Sequence, residues 1–235
     1  APGLQAGWPV TVEESRDACP TIENLNGWGD NEVLFLSRAV YCFGANGDDY
    51  YDGDAIPSTR GVLTKAADGQ NFNGKCAVAD INGDGLPEVI ALATNRPEGD
   101  IAPVSALCVY DHLGRLLWQR VVTNRPALSA PAIGNIDDDA EPEIVFLCGR
   151  WLFAFNHDGT PFADKPDGKL MMIPGGDVGS PPKIDFQYCS VALAELDGDA
   201  RDEIVFTTNS PDDEYSRLYV INAVQNVSGG EPQYA

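Results

Sequence analysis

Positive charge is what this chain has least of: 15 Lys and Arg stand against 36 Asp and Glu, a formal net charge of −21 over 235 residues. An anionic partner, whether a nucleic-acid backbone or an acidic membrane surface, would be repelled, so cations and neutral molecules remain as ligands. Histidine is scarcer still, with only His112 and His157. Both fall in the turn after an expected third strand, a repeated position that points to turn geometry. Most zinc sites and most Ser-His or Cys-His schemes need histidine beside a nucleophile or in groups. No C-x-x-C pair frames a Cys-rich zinc site, and no Gly-rich loop follows a strand and opens a helix to cradle phosphates. No apolar run approaches the roughly 18 residues of a membrane helix, and Ala1 is not followed by a basic-then-apolar leader. The expectation is a soluble chain without membrane insertion, either a mature form or a piece of a longer one.

Apolar residues make up 43% of the chain and form runs such as Ile144-Val145-Phe146-Leu147, so it folds rather than remaining an acidic tail. The 24 Gly and 17 Pro imply many turns. Six Cys and the triplet Asn226-Val227-Ser228 fit an oxidising compartment: extracellular, periplasmic or cell surface. Disulfides among Cys19, Cys76, Cys189 and Cys148 would brace one end of the fold. Six cysteines leave the pairing open, and small buried apolar side chains are the alternative role.

Self-similarity carries the most information. The stretch VADINGDGLPEVIAL (78–92) matches IGNIDDDAEPEIVFL (133–147) and LAELDGDARDEIVFT (193–207), and more weakly IENLNGWGDNEVLFL (22–36). The loops open at Asn24, Asp80, Asn135 and Glu195, 55 to 60 residues apart. Each copy continues into a second apolar run and a third strand ending in a turn. A fourth strand is clear in RLLWQRVV (115–122). Short runs rich in Val, Ile, Phe and Tyr between turn residues make an all-β chain. Continuously apolar second strands imply sheets covered on both faces, as when four-stranded units stack around an axis. The expected fold is a β-propeller of about four four-stranded blades. One domain covers 1–235, with blades at approximately 18–65, 74–122, 129–173 and 189–235. Residues 7–12 resemble the fourth strand at 117–122 and are a candidate to close the last blade. A closed four-bladed ring and a fragment of a larger propeller both fit. The turn between second and third strands alternates short and long, which suggests duplication of a blade pair.

The loop pattern D-x-[DN]-x-D-G-x-x-[DE] between first and second strands, recurring at blade spacing, resembles the FG-GAP or VCBS repeats of integrin-alpha-type propellers over nearly the whole chain. The acidic loops then read as cation sites. In the second copy Asp80, Asn82 and Asp84 alternate, Glu88 returns from the next strand, and a backbone carbonyl at Leu86 completes about six oxygens, as calcium requires. Without an ion, the carboxylates would repel by about 1 kcal/mol per pair at water-like screening. The third copy offers Asn135, Asp137, Asp139 and Glu143 with the carbonyl of Glu141. The fourth offers Glu195, Asp197, Asp199 and Glu203 with that of Arg201. About three structural Ca²⁺ ions follow. Both later loops depart from the pattern at Ala140 and Ala200, where glycine would tolerate a left-handed backbone. The first copy places Trp28 at a ligand position, so it is expected to have lost the metal and filled the gap with the indole. A further acidic stretch, Asp48, Asp49, Asp52 and Asp54, is either another cation site or a surface loop.

The expected function is that of an extracellular, calcium-stabilised propeller acting as a binding or adhesion module for a protein or glycan, with no catalytic residues. The ligand would meet the face carrying the long loops 94–106 and 208–217, because loops on a rigid scaffold usually do the binding. Tyr50, Tyr51 and Tyr215 lie in loops a ligand could reach, whereas the tryptophans have core or edge explanations. Two alternatives are a polysaccharide-active enzyme, similar to the calcium-bearing rhamnogalacturonan lyases, and a structural repeat in a larger surface assembly or filament.

Overall fold

The computed structural model describes residues 3–12, 19–67, 70–95, 104–123, 129–149, 151–172, 190–208 and 217–224. Their regular structure is strand, apart from two short 3-10 turns at Phe162–Asp164 and Pro166–Gly168 and a helical pair at 223–224. Among the described residues, fifteen strands form four antiparallel sheets, each running up and down in chain order. The first holds β1 (Thr21–Glu23), β2 (Glu32–Leu36), β3 (Ala39–Phe43) and β4 (Val62–Lys65). The second holds β5 (Gln70–Ala79), β6 (Glu88–Asn95), β7 (Ser105–Tyr110) and β8 (Leu116–Thr123). The third holds β9 (Ala132–Gly134), β10 (Glu143–Cys148), β11 (Trp151–Asn156) and β12 (Lys169–Met172). Among the described residues the fourth has three strands, β13 (Val191–Ala194), β14 (Glu203–Thr208) and β15 (Arg217–Ile221).

The continuous apolar character of the second strands has the cause anticipated from the sequence. β6 and β10 are buried on both faces because a neighbouring sheet packs on each side. Leu34, Val40 and Cys42 meet Phe72, Val89, Ala91 and Cys108 between the first and second sheets. Ile90, Leu92 and Val109 meet Ile144, Phe146 and Phe153 between the second and third. Val145, Leu147 and Leu152 meet Ile204, Phe206 and Tyr219 between the third and fourth. Burying each Val, Leu, Ile or Phe among them contributes about 1.5–3 kcal/mol. Stacked aromatic pairs strengthen the central strands: Phe146 on Phe153 at 5.2 Å and Phe206 on Tyr219 at 5.0 Å between ring centres.

The remaining face of the first sheet, built from Tyr41, Phe43 and Val62, is covered by Trp8, Val10 and Val12. Trp8 stands edge-on to Phe43 at 6.2 Å, and its indole nitrogen donates to the Ala45 carbonyl at 2.9 Å. No strand is assigned within 3–12, so the segment expected to complete the last blade is seen here by what it covers. Its place has parallels. The turn glycine after a third strand packs on the fourth strand of the preceding sheet twice, Gly114 against Leu63 and Gly159 against Trp118. Gly47, in the corresponding turn of the first sheet, packs against Gly7 and Val10.

The disulfide expectation needs correction. No two of the described cysteines, Cys19, Cys42, Cys76, Cys108 and Cys148, form a disulfide, and Cys189 lies outside the described residues. Cys42, Cys76 and Cys108 belong to the apolar layer between the first two sheets, and Cys148 to the next layer, so they act as small hydrophobic side chains. Burial raises the Cys108 thiol to about 11 and that of Cys148 to about 12.

Candidate metal centre

Each central strand opens with a glutamate whose side chain turns back into the loop before it. One carboxylate oxygen accepts the backbone N–H seven residues earlier: Glu32 from Leu25 at 2.8 Å, Glu88 from Ile81 at 3.0 Å, Glu143 from Ile136 at 2.9 Å and Glu203 from Leu196 at 2.8 Å. These glutamates are at most 5% exposed. A carboxylate so placed is costly unless both oxygens are satisfied.

The alternating side chains at the third and fifth loop positions are aimed by their own backbone. Asp84 N–H donates to Asn82, Asp139 N–H to Asp137 and Asp199 N–H to Asp197, at 2.8, 2.9 and 3.2 Å. The seventh residues repeat the step, with Leu86, Glu141 and Arg201 N–H donating to Asp84, Asp139 and Asp199 at 2.8, 3.0 and 3.0 Å. One oxygen of each side chain is held by the turn, which is the local bonding Asn and Asp favour.

What separates the loops is the donor available to the second glutamate oxygen. In the first, Asn26 donates to Glu32 at 3.3 Å; in the second, Asn82 donates to Glu88 at 2.8 Å. In the fourth, Asn222 reaches Glu203 at 3.4 Å. In the third, aspartate replaces the amide, and Oε1 of the fully buried Glu143 has no hydrogen-bond partner among the described residues. Burial, followed by the charges of Asp137, Asp139 and Glu141, pushes Glu143 up to about 8; Glu88, with its amide donor, rises to about 6.

Among the described residues, two groups of three carboxylates converge with oxygens within 4.8 Å of one another: Asp137, Asp139 and Glu143, and Glu195, Asp197 and Glu203. Either group could hold a metal ion. The all-oxygen donor set fits a hard divalent cation, and the orphaned Glu143 oxygen is an acceptor that a cation would satisfy. The second loop, the fullest match to the sequence pattern, is not among these groups. Asp80 instead accepts the backbone N–H groups of Gly83, Asp84 and Gly85 at 2.8, 3.2 and 2.9 Å.

Trp28 does not fill the first loop. Its side chain is 80% exposed, and the Asn26 amide bridges to Glu32 in place of a ligand. Two of the four acids in the stretch 48–54 are paired with the protein's own cations. Arg60 pairs with Asp49 at 3.0 Å and Lys65 with Asp54 at 2.7 Å. Tyr50 packs against the core between the first two sheets, while Tyr51 is 44% exposed. Tyr215 and most of both long loops, 96–103 and 209–216, lie outside the described residues.

Sequence reasoning overlooked the residues that join the third and fourth loops. Asp202 N–H donates to the Asn135 carbonyl at 2.7 Å, and its carboxylate accepts the Asn135 N–H at 3.1 Å. Arg201 pairs with Asp199 and, at 3.3 Å, with Asp138. A cation inside an otherwise acidic loop was the visible signal.

Compared with known protein families and with curated proteins, the chain matches none. No helix among the described residues is long and apolar enough to cross a membrane.

Proposed function

We propose that this chain is a calcium-stabilised β-propeller, built from repeats of the FG-GAP or VCBS kind, that serves outside the cytoplasm as a binding or adhesion module for a protein or glycan. The orphaned, fully buried oxygen of Glu143, facing Asp137 and Asp139, is the observation that carries the metal part of this reading. The serial face-to-face stacking of four antiparallel sheets supports the propeller part. So does the placing of Trp8, Val10 and Val12 on the first sheet, where a ring would bring the outer strand of the last blade.

Calcium would be held by Asp137, Asp139 and Glu143, by Glu195, Asp197 and Glu203, and after rearrangement by Asp80, Asn82, Asp84 and Glu88. The ion supplies charge neutralisation and ties the first strand of each sheet to the second. The ligand would meet the opposite end, at the long loops, on a scaffold those ions keep rigid.

The test is thermal melting of chelator-stripped chain with and without added calcium, followed by glycan-array and protein-capture binding under both conditions. Each ion bound only by the folded form adds about 2.7 kcal/mol at a hundredfold excess over its dissociation constant. A melt indifferent to calcium sinks the metal reading, and calcium-loaded protein that captures neither glycan nor protein sinks the binding-module reading.

A further inference from the structure

The third and fourth loops differ at their seventh position, which is Glu141 in one and Arg201 in the other. The Arg201 guanidinium folds back over its own loop. Nε donates to Asp199 Oδ2 at 3.1 Å, Nη2 pairs with the same oxygen, and Nη1 reaches Asp138 Oδ1 of the third loop at 3.3 Å. The side chain is 21% exposed, so it lies along the loop rather than in solvent. Asn222 also approaches Asp199 Oδ2, at 3.5 Å.

The consequence appears in which carboxylates converge. Asp139 gathers with Asp137 and Glu143, whereas its counterpart Asp199 stands apart from Glu195, Asp197 and Glu203. A guanidinium on Asp199 and a divalent ion in the same loop would compete for one carboxylate and repel each other. The guanidinium also has a second acceptor already in reach, the Asp138 carboxylate.

We propose that Arg201 is the resident counter-cation of the fourth loop: it holds Asp199 until a divalent ion displaces it towards Asp138, and so sets the affinity of this loop below that of the third. The proposal rests on the metal-binding reading above and assigns the regulation of one of its sites. Entry of an ion at the fourth loop also reaches the third, because Asp202, the next residue, is bonded in both directions to Asn135, where the third loop opens.

The experiment is calcium titration of the chelator-stripped full chain by calorimetry, with Glu143→Gln used to identify the third-loop sites and circular dichroism to confirm folding. Arg201→Gln should tighten the weaker class of sites by roughly threefold to tenfold, and Arg201→Lys, which keeps the charge without the fork, by less. Asp138→Asn removes the alternative acceptor and should weaken that class. Arg115→Gln is the control for net charge, since among the described residues Arg115 pairs only with Asp111 in the turn between β7 and β8; it should leave the class within about twofold. Equal affinities for the parent chain and Arg201→Gln, or a control shift as large as that of Arg201→Gln, overturn the proposal while leaving the metal sites standing. A parent chain that takes up no calcium overturns the metal reading itself.

Discussion

Ala200 holds a left-handed backbone, φ 74°, at the sixth position of the fourth loop, where the second loop has Gly85 at φ 88°. A Cβ in that region costs about 1–2 kcal/mol, partly offset by the lower unfolded-chain entropy of alanine. Ala200→Gly should therefore stabilise the protein by about 0.5–1 kcal/mol, read as a higher urea midpoint. Ala140 occupies the same position in the third loop without a positive φ, so Ala140→Gly should destabilise by about 0.5–1 kcal/mol. Opposite signs at equivalent positions would show that the two loops turn differently. Glu143→Gln has a separate signature. In chelator it should change the melt little, because a carboxyl pushed up to about 8 is already largely protonated at neutral pH and the Ile136 N–H keeps an acceptor. In calcium it should lose the third ion's contribution, about 2.7 kcal/mol at a hundredfold excess.

Between elements, the turn glycines act as spacers that set how closely consecutive sheets approach. At Gly114, φ 77°, an added Cβ would lie 2.3 Å from the backbone oxygen of Leu63 on β4. Neither partner can rotate away, so Gly114→Ala combines left-handed strain with a backbone clash and should cost about 2–4 kcal/mol. Gly29, φ 67°, has nothing within 4 Å of an added Cβ. Gly29→Ala should therefore cost only the strain, about 1–2 kcal/mol. The difference between the two, measured by denaturant unfolding, isolates the contribution of the contact between sheets. If both substitutions cost the same, the glycine turns do not govern the spacing of the first and second sheets.

For the whole molecule, the buried cysteines and tyrosines make stability fall at alkaline pH. In the unfolded chain thiols ionise near 9.0, whereas in the fold Cys108 stays protonated to about 11 and Cys148 to about 12, with Cys42 raised further, each chiefly by burial. The folded state thus binds more protons over this interval. The contribution of these groups is complete below pH 9.0 and declines as pH rises through the folded values. Urea midpoints should drop between pH 8 and pH 10, steepening as Tyr50, raised to about 12 by burial, fails to ionise in the fold. In native protein at pH 8 an aromatic disulfide reagent should react fast with exposed Cys19 and reach Cys42, Cys76, Cys108 and Cys148 only on unfolding. Rapid reaction at all of these would show that the apolar layers open readily.

The sequence alone determined the strands and the acidic turns, because both are local. Apolar runs such as 144–147 and 89–92 can be buried only inside a sheet covered on both faces, and alternating Asp and Asn bond their own backbone wherever the chain folds. The glutamate opening each central strand was legible for the same reason. Tertiary structure decided everything that depended on a distant neighbour. In the fourth loop Asn222, 19 residues beyond Glu203, supplies the donor that Asp197 cannot, whereas no described residue does so for Glu143, and so the third loop is left with an oxygen to satisfy. Whether cysteines pair or pack, and whether Arg201 reaches Asp138 of the neighbouring loop, were set by the juxtaposition of sheets far apart in the chain. No local pattern encodes that juxtaposition, because it arises from apolar faces that find one another only as the whole chain collapses.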